Sequence, residues 1–104
     1  MQHISQITTD MLKRQLPAER YYNDNLDGSF GKATGNAWHM WNGLCPFHDD
    51  RSAGSFVVNR DTGAFRCFSC NNGGNDIIDF YMQKEHLNFK EALQQLWRIA
   101  ICKK

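Results

Sequence analysis

Apolar residues recur at helical spacing at both ends of this chain and at strand spacing in its middle. Near the start, Met11, Leu12 and Leu16 share one helix face, which Thr8 or Thr9 can cap and whose positive first turn suits Asp10. Pro17 ends that helix or starts a short second turn through Ala18-Glu19-Arg20. Residues 23–36 are rich in Asn, Asp, Gly and Ser and read as a loop, with at most a short strand around Phe30. Three strands follow, at residues 37–41, 55–59 and 64–68. The Arg60-Asp61-Thr62-Gly63 turn joins the last two as a hairpin. After Gly73-Gly74 the pattern turns helical again. Asn75 or Asp76 caps a helix with the stripe Ile77, Ile78, Tyr81 and Met82, and Leu87-Asn88 breaks it. Asn88 caps a final helix, with Glu91 in the capping-box position and Phe89, Leu93, Leu96, Trp97 and Ala100 as its buried stripe.

The pattern predicts an α+β fold, a short antiparallel sheet flanked by N-terminal and C-terminal helices. At 104 residues it predicts one domain (1–104), made of an N-terminal helix and loop (1–36), a central ribbon (37–70) and C-terminal helices (71–104). No apolar run is long enough to cross a bilayer, so no membrane partner is expected. Met1-Gln2-His3-Ile4-Ser5 lacks the basic start and apolar stretch of a secretory signal, so the expected compartment is the cytoplasm. The formal charge is only +1, so any nucleic-acid role must rest on local placement of cations. The last twenty-five residues carry five basic and two acidic side chains, a mild local excess.

Cysteine changes the picture. Cys67 and Cys70 form a Cys-x-x-Cys pair, and Cys45 and His48 stand at the same spacing in Cys45-Pro46-Phe47-His48. A reducing compartment argues against disulfides, and the spacing argues harder. Two residues three apart in a tight turn can both face one ion, and two such turns supply four ligands in a tetrahedron. That is the closed, structural form of a zinc site, one Zn2+ on Cys45, His48, Cys67 and Cys70. The eighteen intervening residues suffice for a hairpin that brings the pairs together, the geometry of a zinc ribbon. An iron–sulfur site would prefer four cysteines, and Cys102 lies far off at a helix end, where it reads as a spare thiol. A redox Cys67–Cys70 couple leaves Cys45 and His48 without a role. A catalytic zinc would need an open coordination position, which the fourth ligand fills. His39 is the rival to His48 as the nitrogen ligand; His3 and His86 read as surface residues.

Cys45-Pro46-Phe47-His48, the following Ser55-Phe56, Cys67-Phe68-Ser69-Cys70 and Gly73-Gly74-Asn75-Asp76 together resemble the N-terminal zinc-binding domain of bacterial DnaG-like DNA primases, with its Cys-His-Cys-Cys zinc finger. The resemblance runs from about residue 42 to residue 81. It departs at Arg51-Ser52-Ala53-Gly54-Ser55-Phe56, which is one residue longer than the usual run and lacks its proline. It departs again at Ser69, where glycine is common, and at Asn71-Asn72, which replaces a small or glycine-rich start. The resemblance implies a module that engages single-stranded template DNA and works in primer initiation with a separate primase catalytic domain or a replicative helicase. The chain has no Asp-x-Asp pair and no glutamate-glycine metal motif, so it is expected to be no complete primase and no enzyme by itself. It is either the finger of a longer protein or a small free-standing one. Arg51 matches the family lysine after the histidine, and Arg51, Arg60 and Arg66 lie on or near the hairpin as candidate phosphate contacts. Trp38, Trp41 and Phe65 are candidate stacking platforms for unstacked bases, with packing in the core as the competing role for each. Three thiolates and one zinc would leave the loaded chain near zero charge. That favours the alternative function, a protein-interaction zinc ribbon docking on a replication protein.

Overall fold

A computed structural model of the chain describes residues 7–47 and 54–102. Its order is α1 (Thr9–Gln15), α2 (Ala18–Asn25), β1 (Ser29–Gly35), β2 (Trp38–Asn42), β3 (Phe56–Asn59), β4 (Phe65–Cys67), β5 (Gly73–Gly74), α3 (Ile77–Glu85) and α4 (Phe89–Ile101). The fold is α+β. The strands form one antiparallel sheet in the order β1-β2-β3-β4-β5, so each pairs with its neighbour in the chain.

Local capping sets the helix starts. The Thr8 side chain accepts from the Met11 amide, and Asp76 does the same for Asp79. Asn88 and Glu91 form a reciprocal capping box. Pro17 opens a true second helix, longer than the turn the sequence suggests. The expected loop at residues 23–36 is corrected on two counts: α2 runs on to Asn25, and β1 is a full strand of seven residues. β1 is an edge strand with two register irregularities and mostly exposed side chains, so it shows no alternation for a pattern to detect. The β1–β2 turn places Asn36 and Ala37 at φ 53° and 69°, the backbone of a type I′ hairpin.

The two faces of the sheet differ. His39, Val58 and Phe65 are aligned partners across β2, β3 and β4, and with Phe56 and Trp41 they face the helices. There Phe80 of α3 is fully buried, its ring centroid 5.1 to 6.4 Å from those of Tyr21, Tyr22, Phe47, Phe56 and Phe65. Such edge-to-face pairs add about 0.5–1.5 kcal/mol each beyond burial. Gly74 is required by this packing, because a Cβ there would stand 2.8 Å from the Phe65 ring and 2.7 Å from Asp79 Cβ. In α4 the buried residues are Ala92, Leu93, Leu96 and Ala100. Phe89, expected in that stripe, is instead exposed, because the first turn of α4 reaches past the edge of the core. No helix among the described residues is long and apolar enough to cross a membrane.

Candidate functional site

Three of the four expected metal ligands converge at one end of the sheet. Cys67 ends β4, Cys70 lies one turn further on, and Cys45 follows β2 through Gly43-Leu44. Their sulfurs all lie within 4.8 Å of one another, with Cys45 Sγ 3.8 Å from Cys70 Sγ. Sulfurs bound at about 2.3 Å to one tetrahedral zinc stand about 3.8 Å apart, so the spacing fits that ion. His48 and Arg51 lie outside the described residues. Cys102 is an exposed thiol beyond α4, away from the cluster.

Packing and backbone bonds hold this geometry. Phe47, inside the first cysteine motif, stacks on Phe65 at 5.5 Å and meets Phe80 at 5.1 Å, which anchors the first turn in the core. In the second turn the Cys67 amide donates to the Asn72 carbonyl and the Asn71 amide to the Cys67 carbonyl, both at 2.8 Å. Asn71 takes the left-handed φ of 63° that this closure needs, and asparagine tolerates it better than most residues. The Phe68 amide donates to the Ser55 carbonyl at 2.8 Å, tying the turn to the approach of β3.

The thiols are electrostatically unequal. Burial pushes the Cys45 thiol up to about 12; the Cys67 and Cys70 sulfurs add to this and the Phe47 amide opposes it. Burial also acts upward on Cys67, but hydrogen bonds from the Cys70 amide, the Ser55 hydroxyl and the Ser69 amide outweigh it and bring that thiol down to about 7. The two thiols are thus shifted in opposite directions, Cys45 upward and Cys67 downward. Three thiolates at this separation need a cation to offset their repulsion, which a divalent metal supplies.

The other expected residues fall in different places. Trp41 and Phe65, expected as possible stacking platforms, are 1% and 2% exposed and belong to the core; the Trp41 indole donates to the Asp27 carbonyl at 2.8 Å. Trp38 is half-buried on the opposite face. There it joins Thr34, Met40, Gly54, Val57, Arg66 and Phe68 around an open concavity of about 410 Å³. The Arg66 guanidinium carbon lies 5.7 Å from the centroid of the Phe68 ring, and Phe68 is 64% exposed. Phe68 carried no sequence signal as a surface residue, being an aromatic inside a metal motif. Arg60 is directed elsewhere. Its Nη1 donates to His39 Nε2 at 2.8 Å, while His39 Nδ1 donates to the Gly31 carbonyl at 3.0 Å, a tautomer required because arginine can only donate. Since His39 lies on the helix-side face, Arg60 and Arg66 work on opposite sides of the sheet.

The fold and its thiol cluster agree with what comparison with known proteins finds. The CHC2 zinc finger model, the DnaG-type zinc ribbon, matches residues 32–103. The chain belongs to the CHC2 zinc finger family. Relatives of this CHC2 finger include the DNA primase of Streptomyces coelicolor, 52% identical over 54 residues, which are 52% of this chain and 8% of that protein. The DNA primase of Borreliella burgdorferi is 46% identical over 56 residues, 54% of this chain and 10% of that protein. The DNA primase of Mycobacterium leprae is 46% identical over 54 residues, 52% of this chain and 8% of that protein. The CHC2 finger thus aligns with about a tenth or less of each primase's length.

Proposed function

We propose that this chain is a primase-type finger that holds one structural zinc on Cys45, His48, Cys67 and Cys70 and presents the outer face of its sheet to single-stranded template DNA. The observation that carries the reading is the pairing of that face with the thiol cluster through β4 and the turn after it, where Arg66 in the strand and Phe68 just beyond it are exposed on either side of the buried Cys67. Bound zinc would cancel thiolate charge and lock the two cysteine turns together. Trp38 and Phe68 offer π-faces to unstacked bases, and Arg66 offers a cation to the backbone. Arg60, held to His39 on the helix side of the sheet, keeps further donors and would meet only a strand that wraps around the end of the hairpin. Arg51, three residues after His48 in sequence, completes the set. Primer synthesis belongs to a separate catalytic domain, working with this finger in the cytoplasm. Near-neutral charge implies weak binding alone and real affinity once a catalytic or helicase partner adds a second, tethered site.

The lining of the concavity, mostly apolar, also supports the second reading, docking on a replication protein. A salt titration of oligonucleotide binding separates the two. Under the DNA reading, Arg66→Ala weakens binding to all single strands alike and lowers the salt slope by about 0.7. Unchanged affinity and slope, with metal and fold intact, would remove DNA from this face and leave protein docking.

A further inference from the structure

We propose that Asn72 is a positioning residue of the metal centre, its side-chain amide fixing and shielding the Cys70 thiolate. This rests on the zinc reading above. Cys45 and Cys67 are 3% and 0% exposed, whereas Cys70 is only half-buried, the most exposed residue of the three. Each sulfur has a donor close by. The Phe47 amide donates to Cys45 Sγ at 3.4 Å, and the Ser55 hydroxyl lies 3.6 Å from Cys67 Sγ. At Cys70 that donor is the Asn72 side chain, whose Nδ2 donates to Sγ at 3.3 Å.

Asn72 is well placed for the task. Its carbonyl is held by the Cys67 amide and the residue before it by the left-handed turn at Asn71, so the side chain is aimed from an anchored backbone. A glycine in this loop, the residue type that Asn71-Asn72 replaces, would close the turn equally well but could donate nothing to sulfur. An N–H donor withdraws charge from a metal-bound thiolate, which lowers its nucleophilicity while keeping its direction toward the ion. Because the amide is neutral, it does this without adding a charge that would repel the metal. Asn72 thus joins the two cysteines of the second turn, through its backbone to Cys67 and through its side chain to Cys70.

The test uses the full chain, loaded with zinc or with cobalt(II), as the parent, Asn72→Ala and the near-isosteric Asn72→Leu, with folding checked by circular dichroism. The readouts are the sulfur-to-cobalt charge-transfer band, zinc affinity by chelator competition, and the rate at which iodoacetamide alkylates each cysteine, resolved by mass spectrometry. The expected result is a shifted charge-transfer band, zinc held about tenfold more weakly, and alkylation about tenfold faster at Cys70 with Cys45 and Cys67 unchanged. Rates at Cys70 within about twofold of the parent in both variants would overturn the proposal, as would equal acceleration of all three cysteines, the mark of a merely loosened turn. A parent that takes up cobalt without a thiolate charge-transfer band would overturn the zinc reading itself, and this proposal with it.

Discussion

The two phenylalanines inside the cysteine motifs hold the same chemistry in opposite settings. Phe47 packs against Phe56, Phe65 and Phe80 beneath the sheet, whereas Phe68 stands 64% exposed above it with Arg66 alongside. The helix-side face spends its aromatics on cohesion. The outer face, with Trp38, Met40, Val57 and Phe68 at its surface, leaves part of its apolar area to water. Burial of that area on folding would have added about 25 cal/mol per Å². A motif position therefore does not reveal whether its side chain serves stability or contact; the face of the strand or turn that carries it does.

The largest expected effect would erase the contrast altogether. Cys67 joins the sheet to the second turn, and in small structural sites metal binding supplies about 10–16 kcal/mol of apparent folding energy. Cys67→Ser should lose bound zinc and its cooperative melt, whereas Cys102→Ser, far from the cluster, should keep both. Metal analysis and thermal denaturation of the two variants check this. Equal zinc in Cys67→Ser and the parent would place the ion elsewhere.

The contrast itself is sharpened by a pair of truncations. Phe80→Ala should cost about 3–5 kcal/mol, because its ring meets five others and nothing can collapse into the gap. Phe68→Ala should change stability by no more than about 0.5 kcal/mol and yet weaken oligonucleotide binding by about 1–3 kcal/mol. Urea denaturation and fluorescence anisotropy measure the two quantities. If Phe68→Ala unfolds the protein while Phe80→Ala leaves it intact, the assignment of faces is inverted.

The smallest effect lies in the β1–β2 turn. Ala37 occupies a left-handed position at φ 69°, where the two-residue turn favours glycine. Ala37→Gly should stabilise the protein by about 1 kcal/mol, visible as a rise in melting temperature. A fall instead would show that the extra freedom of glycine in the unfolded chain outweighs the relieved strain.

The same particulars show what could be read without coordinates. The cap at Asn88 was legible outright, and those at Thr8 and Asp76 to within one residue, because capping is settled within four residues of chain. The thiol cluster was legible because metal geometry imposes spacing on sequence. β1 was not, since an edge strand with little buried on either side has no period to detect. Phe80 escaped because residues 77–82 are almost all apolar, so periodicity could not say which of them faces the centre. Asn72 left no trace either. A side-chain donor to sulfur obeys no spacing rule and becomes visible only when the turn is built.

The strict sequential order of the sheet has a kinetic consequence. Each strand needs only its immediate predecessor, so assembly can proceed by successive hairpin closures, each on the order of microseconds, with little entropy lost per loop. A long closure remains at the termini, where α1 packs on α4 across most of the chain. Among the contacting helices and strands described, α1 and α4 lie far apart in the chain, so closing that contact costs the most loop entropy, and the helical clasp is expected to form after the sheet.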